Sequence, residues 1–175
     1  MGIELLARSV LGGYVAGVDP SDEMVEQARA RNVKAVESSR VDLRYGCVER
    51  LPFEDHTFTN ALAMNAMHVW PDTVAGLRDM RRVMTPGGRM ALGFTSYSWQ
   101  SKDGLPAMLT AAGLTEAHVV EAEAGFCALA ITPSSTMMGE CHLTGGWSGP
   151  AWKRSAMIPV LVAASRSTAG RETDC

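Results

Sequence analysis

The sequence has few of the features that mark proteins acting on membranes or nucleic acids. Its longest late apolar run, Met157 to Ala164, is much shorter than the roughly 20 residues that a membrane-spanning helix needs. Glu4 and Arg8 interrupt the early apolar stretch, which therefore does not resemble a signal peptide. Lys and Arg number 16 against 19 Asp and Glu, without basic runs. This balance argues against a nucleic-acid groove or an anionic membrane surface as the main partner.

Cysteine is scarce and scattered along the chain. The four cysteines form no CxxC motif and no Cys/His cluster; they are Cys47, Cys127, Cys141 and Cys175. We therefore expect neither a metal site nor a disulfide framework. A reducing compartment, and hence a cytoplasmic location, fits this cysteine usage best.

The chain has 175 residues, 46% of them hydrophobic, which suits one α/β domain with a substantial core. Short apolar runs alternate with helical patterns along most of it. The apolar runs predict strands at Tyr14–Val18, Val33–Val36, Val41–Arg44, Phe58–Met64, Arg89–Phe94, His118–Glu123 and Phe126–Thr132. The helical patterns predict a helix ending at Gly12-Gly13 and further helices at Asp22–Arg31, Thr73–Val83 and Leu105–Ala112.

This alternation predicts a Rossmann-like, doubly wound α/β fold with a mostly parallel sheet. The last two strands are joined by Glu123-Ala124-Gly125, which is typical of an antiparallel hairpin. From Pro133 onward the sequence turns to Ser, Thr and Gly with scattered Trp and Met and no clear period. We therefore expect a domain over residues 1–132 and an irregular or disordered tail over residues 133–175.

Asp19 is the most informative polar residue, because it directly follows a buried strand. An acidic residue at the carboxyl end of such a strand faces the crevice where doubly wound sheets bind ligands. Its two oxygens can accept hydrogen bonds from both hydroxyls of a ribose, as in any adenosine-containing cofactor. The alternative role is a strand-end Asp that merely caps the next helix, and this segment alone supports both equally.

Three motifs occur in order and at natural spacing: Gly17-Val18-Asp19-Pro20-Ser21, Gly46-Cys47-Val48-Glu49-Arg50-Leu51-Pro52-Phe53 and Arg82-Val83-Met84-Thr85-Pro86-Gly87-Gly88. Together they resemble the class I S-adenosylmethionine-dependent methyltransferases, in particular the type 11 branch that acts on small molecules. The resemblance covers Gly2 to Phe94 segment by segment and extends loosely to Thr132. Each motif alone is weak, and their order makes the resemblance specific.

The resemblance implies S-adenosylmethionine as cofactor and methyl transfer to a small-molecule acceptor. The ribose would be held by Asp19 at the Asp19-Pro20 strand end, with Met24 packing near the ribose and adenine or simply filling the core. Adenine would lie beside Cys47 and Val48, whose backbone N–H would bind a ring nitrogen. Asn65 would lie by the methionine portion of the cofactor, or would form a turn without touching it.

The sequence departs from the family pattern in two places. The family usually has Asp where this chain has Cys47, and a thiol is a poor acceptor for the adenine amino group. The start of the chain also resembles the segment that follows the family's first strand and glycine-rich loop, so this strand and most of the loop are missing from the sequence. Gly2 fits the last glycine of that loop. That strand belongs between the strands that end at Asp19 and Asn65. The segment Met157–Ser165 is a candidate replacement, but Pro159 argues against a central position.

The sequence leaves the chemistry of the acceptor side open. His68 is a weak candidate for a general base, and a packing role for His68-Val69-Trp70 is favoured over it. Tyr97 and Trp99 are candidate walls of an acceptor pocket or, equally, residues of a surface loop. Two other readings compete with the methyltransferase. One is an inactive remnant that serves only as a partner surface, which Cys47 and the missing loop favour. The other is a nicotinamide-dependent oxidoreductase, whose ribose Asp19 would also suit.

Overall fold

The structure is a computed structural model that describes residues 15–96, 98–134 and 158–162. In chain order the strands and helices are β1 (Val15–Asp19), α1 (Asp22–Arg31), α2 (Val33–Glu37), β2 (Val41–Tyr45), β3 (Phe58–Met64), α3 (Thr73–Val83), β4 (Met84–Thr95), α4 (Leu105–Ala111), β5 (Thr115–Ala122), β6 (Gly125–Ile131) and β7 (Ile158–Val162). Two 3-10 turns, Val48–Arg50 and Met67–Val69, precede and follow β3. The helix expected before Gly12 lies outside the described residues.

All seven strands form one sheet in the order β2-β1-β7-β3-β4-β6-β5. The neighbours from β2 to β4 are parallel, whereas β6 is antiparallel to both β4 and β5. The predicted Rossmann-like, mostly parallel sheet with a C-terminal antiparallel hairpin is therefore confirmed. Most of the predicted strands and helices match the observed bounds to within a few residues, although β4 begins at Met84, well before the strand predicted from Arg89.

Residues Val33–Glu37 are helical, so the strand predicted at Val33–Val36 is wrong. The amides of Ala35 and Val36 both donate to the Asn32 carbonyl, at 2.9 and 3.0 Å. Ala35 and Val36 pack against a small apolar cluster between α1 and the β1–β2 edge of the sheet. Val33, at the start of this helix, is 49% exposed, and four residues are too few for the spacing of apolar residues to distinguish a strand from a helical turn.

The sheet gains a central strand from the C-terminal part of the chain. Strand β7 lies between β1 and β3 and runs parallel to both, pairing Gly17 with Val160 and Leu62 with Val160. The prediction of an irregular tail over 133–175 is therefore wrong for residues 158–162, and the replacement strand suggested at Met157–Ser165 is observed over those residues. Pro159 pairs with Ala16, while the ladder to β3 begins only at Val160, beyond the proline.

The main core lies where α3 and α4 cover the β3, β4 and β6 part of the sheet. Its largest fully buried members on these elements are Phe58, Leu77, Met80, Val83, Met84, Met90, Leu92, Leu105 and Leu109. The apolar stripe Leu77, Met80 and Val83 explains why Thr73–Val83 forms a helix, since these residues repeat at helical spacing. In the described ranges, no helix combines the length and the apolarity that crossing a bilayer requires.

Candidate functional site

The candidate site lies at one edge of the sheet, which we call the carboxyl edge: the ends of β1, β7 and β3 at Asp19, Val162 and Met64. Because the three strands are parallel neighbours, their carboxyl ends meet there. Asp19 and Asn65 are separated by two strand spacings, about 10 Å. Open α/β sheets bind their ligands outside this edge.

Asp19 is the most buried charged residue at this edge, with only 5% of its surface exposed. Its Oδ1 accepts a hydrogen bond from the Ser21 amide at 2.9 Å. Its Oδ2 is buried and has no hydrogen-bond partner among the described residues. Burial raises the pKa of the Asp19 carboxyl above its ordinary value, and the hydrogen bond from Ser21 offsets this only in part.

An unpartnered buried carboxylate oxygen costs free energy unless a donor reaches it. A ribose hydroxyl is such a donor, so the Asp19 side chain fits the sugar of an adenosyl cofactor. The competing role, capping of α1, belongs to another residue. Ser21 is the cap, because its Oγ accepts from the Met24 amide at 3.3 Å. Of the neighbouring candidates, Met24 is half-buried and Pro20 is exposed.

The predicted adenine-side residues begin the β2–β3 loop, Gly46–Thr57. The Gly46 amide donates to the Asp19 carbonyl at 3.2 Å, so this loop starts beside the end of β1. Val48 is buried, whereas Cys47 is half-buried. Cys47 is disulfide-bonded, which is one bond and not the disulfide framework that the cysteine spacing argued against, and Cys127 is free.

Two residues that the sequence analysis did not single out hold this loop in place. Arg82 donates to the Leu51 carbonyl at 3.0 Å and to the Phe53 carbonyl at 2.9 Å. Asp79 accepts from the Leu51 amide at 2.6 Å and from Arg82 Nε at 2.6 Å. The hydrogen bond to Asp79 raises the pKa of the Arg82 guanidinium further above its ordinary value. The available signal was an Asp and an Arg three residues apart on a predicted helix.

Asn65 joins the ends of β3 and β4. Its Oδ1 accepts from the Thr95 amide at 2.9 Å, and its Nδ2 donates to Thr95 Oγ1 at 3.1 Å. Its φ of 49° places it in the left-handed region, which Asn tolerates better than most residues. These contacts support the structural alternative for its side chain, and a place beside the methionine portion of the cofactor stays a prediction.

The structure describes two of the candidate acceptor-side residues, His68 and Trp99. His68 is exposed in the second 3-10 turn, and Trp99 is 98% exposed with a φ of 55°. Tyr97 and Gly2 lie outside the described residues. The part of the chain that the structure describes holds no group of three or more His, Cys, Asp or Glu arranged to bind a metal ion. A catalytic role for His68 stays a prediction.

Comparison with known proteins agrees with this geometry. A type 11 family profile described as a methyltransferase domain matches residues 1–92. The chain is 38% identical over 79 residues to the 27-O-demethylrifamycin SV methyltransferase of Amycolatopsis mediterranei, covering 45% of this chain and 29% of that protein. It is 37% identical over 78 residues to the demethylmenaquinone methyltransferase of Bacillus cytotoxicus, covering 45% of this chain and 32% of that one.

Solved structures share the fold at lower sequence identity. An S-adenosylmethionine-dependent methyltransferase from Aquifex aeolicus aligns with a TM-score of 0.61 and 17% identity, covering 74% of this chain and 88% of that one. By contrast, the chain spans only about a third of the length of the curated relatives above. The likeness therefore concerns the fold and, at the level of sequence, residues 1–92.

Proposed function

The chain belongs to the type 11 methyltransferase domain family, and we propose that it binds S-adenosylmethionine and transfers the methyl group to a small organic acceptor. The observation that carries the proposal is Asp19, a buried carboxylate at the carboxyl edge with one oxygen left for a ligand donor. The nicotinamide-dependent alternative is not supported, because the matching family is one of methyltransferases.

The residues at the carboxyl edge fit an adenosyl group. Asp19 Oδ2 would accept a hydrogen bond from a ribose hydroxyl, which removes the cost of leaving this oxygen buried and unpaired. Val48, at the start of the β2–β3 loop, would supply a backbone N–H to adenine. Cys47 would be a weaker acceptor for the adenine amino group than the Asp that the family usually carries there.

The sulfonium of bound S-adenosylmethionine supplies an activated methyl group on an excellent leaving group. The protein's contribution is then alignment of the acceptor with that methyl and exclusion of water, without a covalent catalyst. Asp19 and the β2–β3 loop would fix the adenosyl end so that the reacting end is held at the carboxyl edge. A general base is required only where the acceptor must lose a proton, and His68 is our candidate.

The acceptor class follows from the relatives. Their names give a demethylated rifamycin SV and a demethylated menaquinone as substrates, which supports a small organic acceptor for this chain. We include in the proposal that neither a nucleic acid nor a membrane is the main partner, since the chain has a net charge of -3 and no basic run. A cytoplasmic location is part of the same proposal.

Titration calorimetry tests the proposal directly. The full chain is titrated with S-adenosylmethionine, with S-adenosylhomocysteine and, in parallel, with NAD. We expect saturable heats with S-adenosylmethionine and S-adenosylhomocysteine, and none with NAD. The dissociation constants of the first two should be micromolar, as is common for cofactor sites. Absence of heat with all three would favour an inactive remnant, and heat with NAD alone would overturn the assignment.

A further inference from the structure

The β2–β3 loop lies along one face of α3. The Asp72 amide, just before the helix, donates to Glu49 Oε1 at 3.2 Å. One turn later, a Cβ added at Gly76 would come within 2.8 Å of Val48 Cγ1, so the loop packs closely there. Asp79 and Arg82 then contact the loop backbone at Leu51. Positions 72, 76, 79 and 82 repeat at helical spacing, which places all four contacts on one stripe of α3.

Asp79 and Arg82 form a fork that binds both backbone groups of one loop residue, Leu51. Arg82 Nε lies 2.6 Å from Asp79 Oδ1, and Arg82 Nη2 lies 2.9 Å from Asp79 Oδ2. The same Asp79 Oδ2 accepts from the Leu51 amide, while Arg82 Nη2 donates to the Leu51 carbonyl. Arg82 Nη1 also donates a hydrogen bond to Asp55 Oδ1 at 2.7 Å. Charge-assisted, bidentate contacts of this kind fix geometry more tightly than neutral ones.

The helix that carries this fork is itself held by the core. Leu77 and Val83 are fully buried, and Met80 is 1% exposed. The Asp79 side chain is 15% exposed, so this ion pair is shielded from solvent more than a typical surface pair. Helix α3 therefore fixes the Leu51 part of the β2–β3 loop relative to the core.

We propose that the Asp79–Arg82 pair positions the Val48 end of the β2–β3 loop for recognition of the adenine base. This inference rests on the proposed function. One end of the loop segment is tied to β1 through the Gly46 amide and the Asp19 carbonyl. The fork holds Leu51, three residues beyond Val48. The pair thus sets the separation between the ribose-side carboxylate and the base-side N–H, and acts as a positioning pair without touching the cofactor.

Base discrimination tests the proposal, because a merely structural role would not change it. S-adenosylhomocysteine is compared with S-inosylhomocysteine, in which a carbonyl replaces the amino group and the adjacent ring nitrogen carries a hydrogen. A correctly placed backbone N–H distinguishes these two ring edges, since donor and acceptor are exchanged. Calorimetry on the full chain gives the ratio of the two dissociation constants for wild type, Arg82→Ala, Arg82→Lys and Asp79→Asn.

We expect wild type to prefer the adenine compound, and Arg82→Ala to bind it about tenfold more weakly with most of that preference lost. Hydrogen exchange of the unliganded variants should show faster exchange at residues 48–53. Arg78→Ala is the matched control: Arg78 is an exposed arginine of the same helix that donates to the Ala111 carbonyl at 3.5 Å, away from the loop. It should keep both affinity and preference.

Two results would overturn the proposal. One is an equal loss of affinity for both compounds in Arg82→Ala, with the preference kept. If Arg82→Ala does not fold, the decision passes to Arg82→Lys and Asp79→Asn, which keep side-chain size but break the fork. The second contradicting result is that Arg82→Lys and Asp79→Asn both keep the wild-type preference for the adenine compound. Failure of wild type to bind either compound refutes the proposed function itself, and is recognised before any variant is compared.

Discussion

The Asp19 side chain lowers the stability of the unliganded protein. A buried carboxylate with one unpaired oxygen destabilises the unliganded fold when it is ionised, and the raised pKa of Asp19 reflects that cost. Such a residue suits a ligand-binding role better than a structural one, because the ligand supplies the missing donor. The structure thus offers a direct way to separate binding from folding at this position.

We predict that Asp19→Asn stabilises the unliganded protein at neutral pH while weakening S-adenosylhomocysteine binding more than tenfold, as expected for loss of about 1.5–3 kcal/mol from a charged hydrogen bond. The raised pKa means that the folded state holds the proton more tightly than the unfolded chain. Wild-type stability therefore falls as pH rises from the ordinary pKa through the raised one. Urea unfolding should show the gain at pH 7 and none below about pH 4.

The control for this variant is Asp42→Asn, which removes a partly exposed carboxylate paired with Arg44 on the neighbouring strand β2. It should neither stabilise the protein at pH 7 nor change cofactor affinity. An Asp19→Asn protein that is less stable than wild type at pH 7 would contradict the account of Asp19 as an uncompensated charge.

Cys47 provides a second test at the adenine side. Cys47→Asp introduces the acceptor that the resemblance leads us to expect, and should tighten S-adenosylhomocysteine binding at least tenfold if the carboxylate gains about 1.5 kcal/mol or more. Cys47→Ser is the control, because it removes the disulfide equally without adding charge. Calorimetry that finds the two variants equal in affinity would show that position 47 does not face adenine.

The sequence located Asp19 and the start of the β2–β3 loop, because strand ends and motif order are visible locally. It did not reveal how these residues are supported. The bonds of Asn65 to Thr95, and of Arg82 to Leu51, join residues about 30 positions apart. Such pairs depend on strand order and helix docking, which no local pattern specifies.

Helix α3 illustrates how one secondary structure element can serve both the core and the site. Its apolar stripe was predictable from period alone, and it was found over the expected residues Thr73–Val83. Its polar residues gave only the weak signal of an Asp and an Arg three residues apart, because their partners lie in a loop. The short helix α2 shows the opposite limit: its first four residues, Val33–Val36, contain two valines and fit a strand and a helical turn equally well.

Gly76 of α3 allows a test of close packing between helix and loop. Gly76→Ala should gain up to about 1 kcal/mol from helix propensity. Its methyl group, however, would lie 2.8 Å from Val48 Cγ1, on a side chain with little rotamer freedom. We predict no net gain in the free energy of unfolding and severalfold weaker S-adenosylhomocysteine binding. In a Val48→Ala background the same substitution should stabilise the protein, and simple additivity of the two changes would refute the contact.

The fold as a whole depends on a strand that comes late in the sequence. Composition and motif order predicted the class of fold, its parallel sheet and its terminal hairpin. They argued against β7, because Pro159 is disfavoured in a central strand. The register between β7 and β3 accommodates the proline, because the pairing with β3 starts only at Val160, after Pro159. Registers between distant strands are set by tertiary contacts and were not accessible from local signals.

Val160 is paired on both sides, with Gly17 and with Leu62. We predict that Val160→Pro destabilises the full chain by about 1–3 kcal/mol, because it leaves a ladder partner in the middle of the sheet unsatisfied. Thermal unfolding followed by circular dichroism measures the change. Val160→Ala, which keeps the backbone N–H, should unfold at a higher temperature than Val160→Pro, and coincident unfolding curves would place residues 158–162 outside the sheet.

The late position of β7 in the sequence also determines when the central part of the sheet can be completed during synthesis. β1 and β3 leave the ribosome long before Ile158–Val162 is made, and they are neighbours of β7 in the finished sheet. Until then, both lack the partner that β7 supplies in the finished sheet, and such strand edges can be joined by other nascent chains. We therefore expect the newly made polypeptide to depend on chaperones until its last described strand is released, and to be most prone to aggregation when translation stalls between the hairpin and that strand.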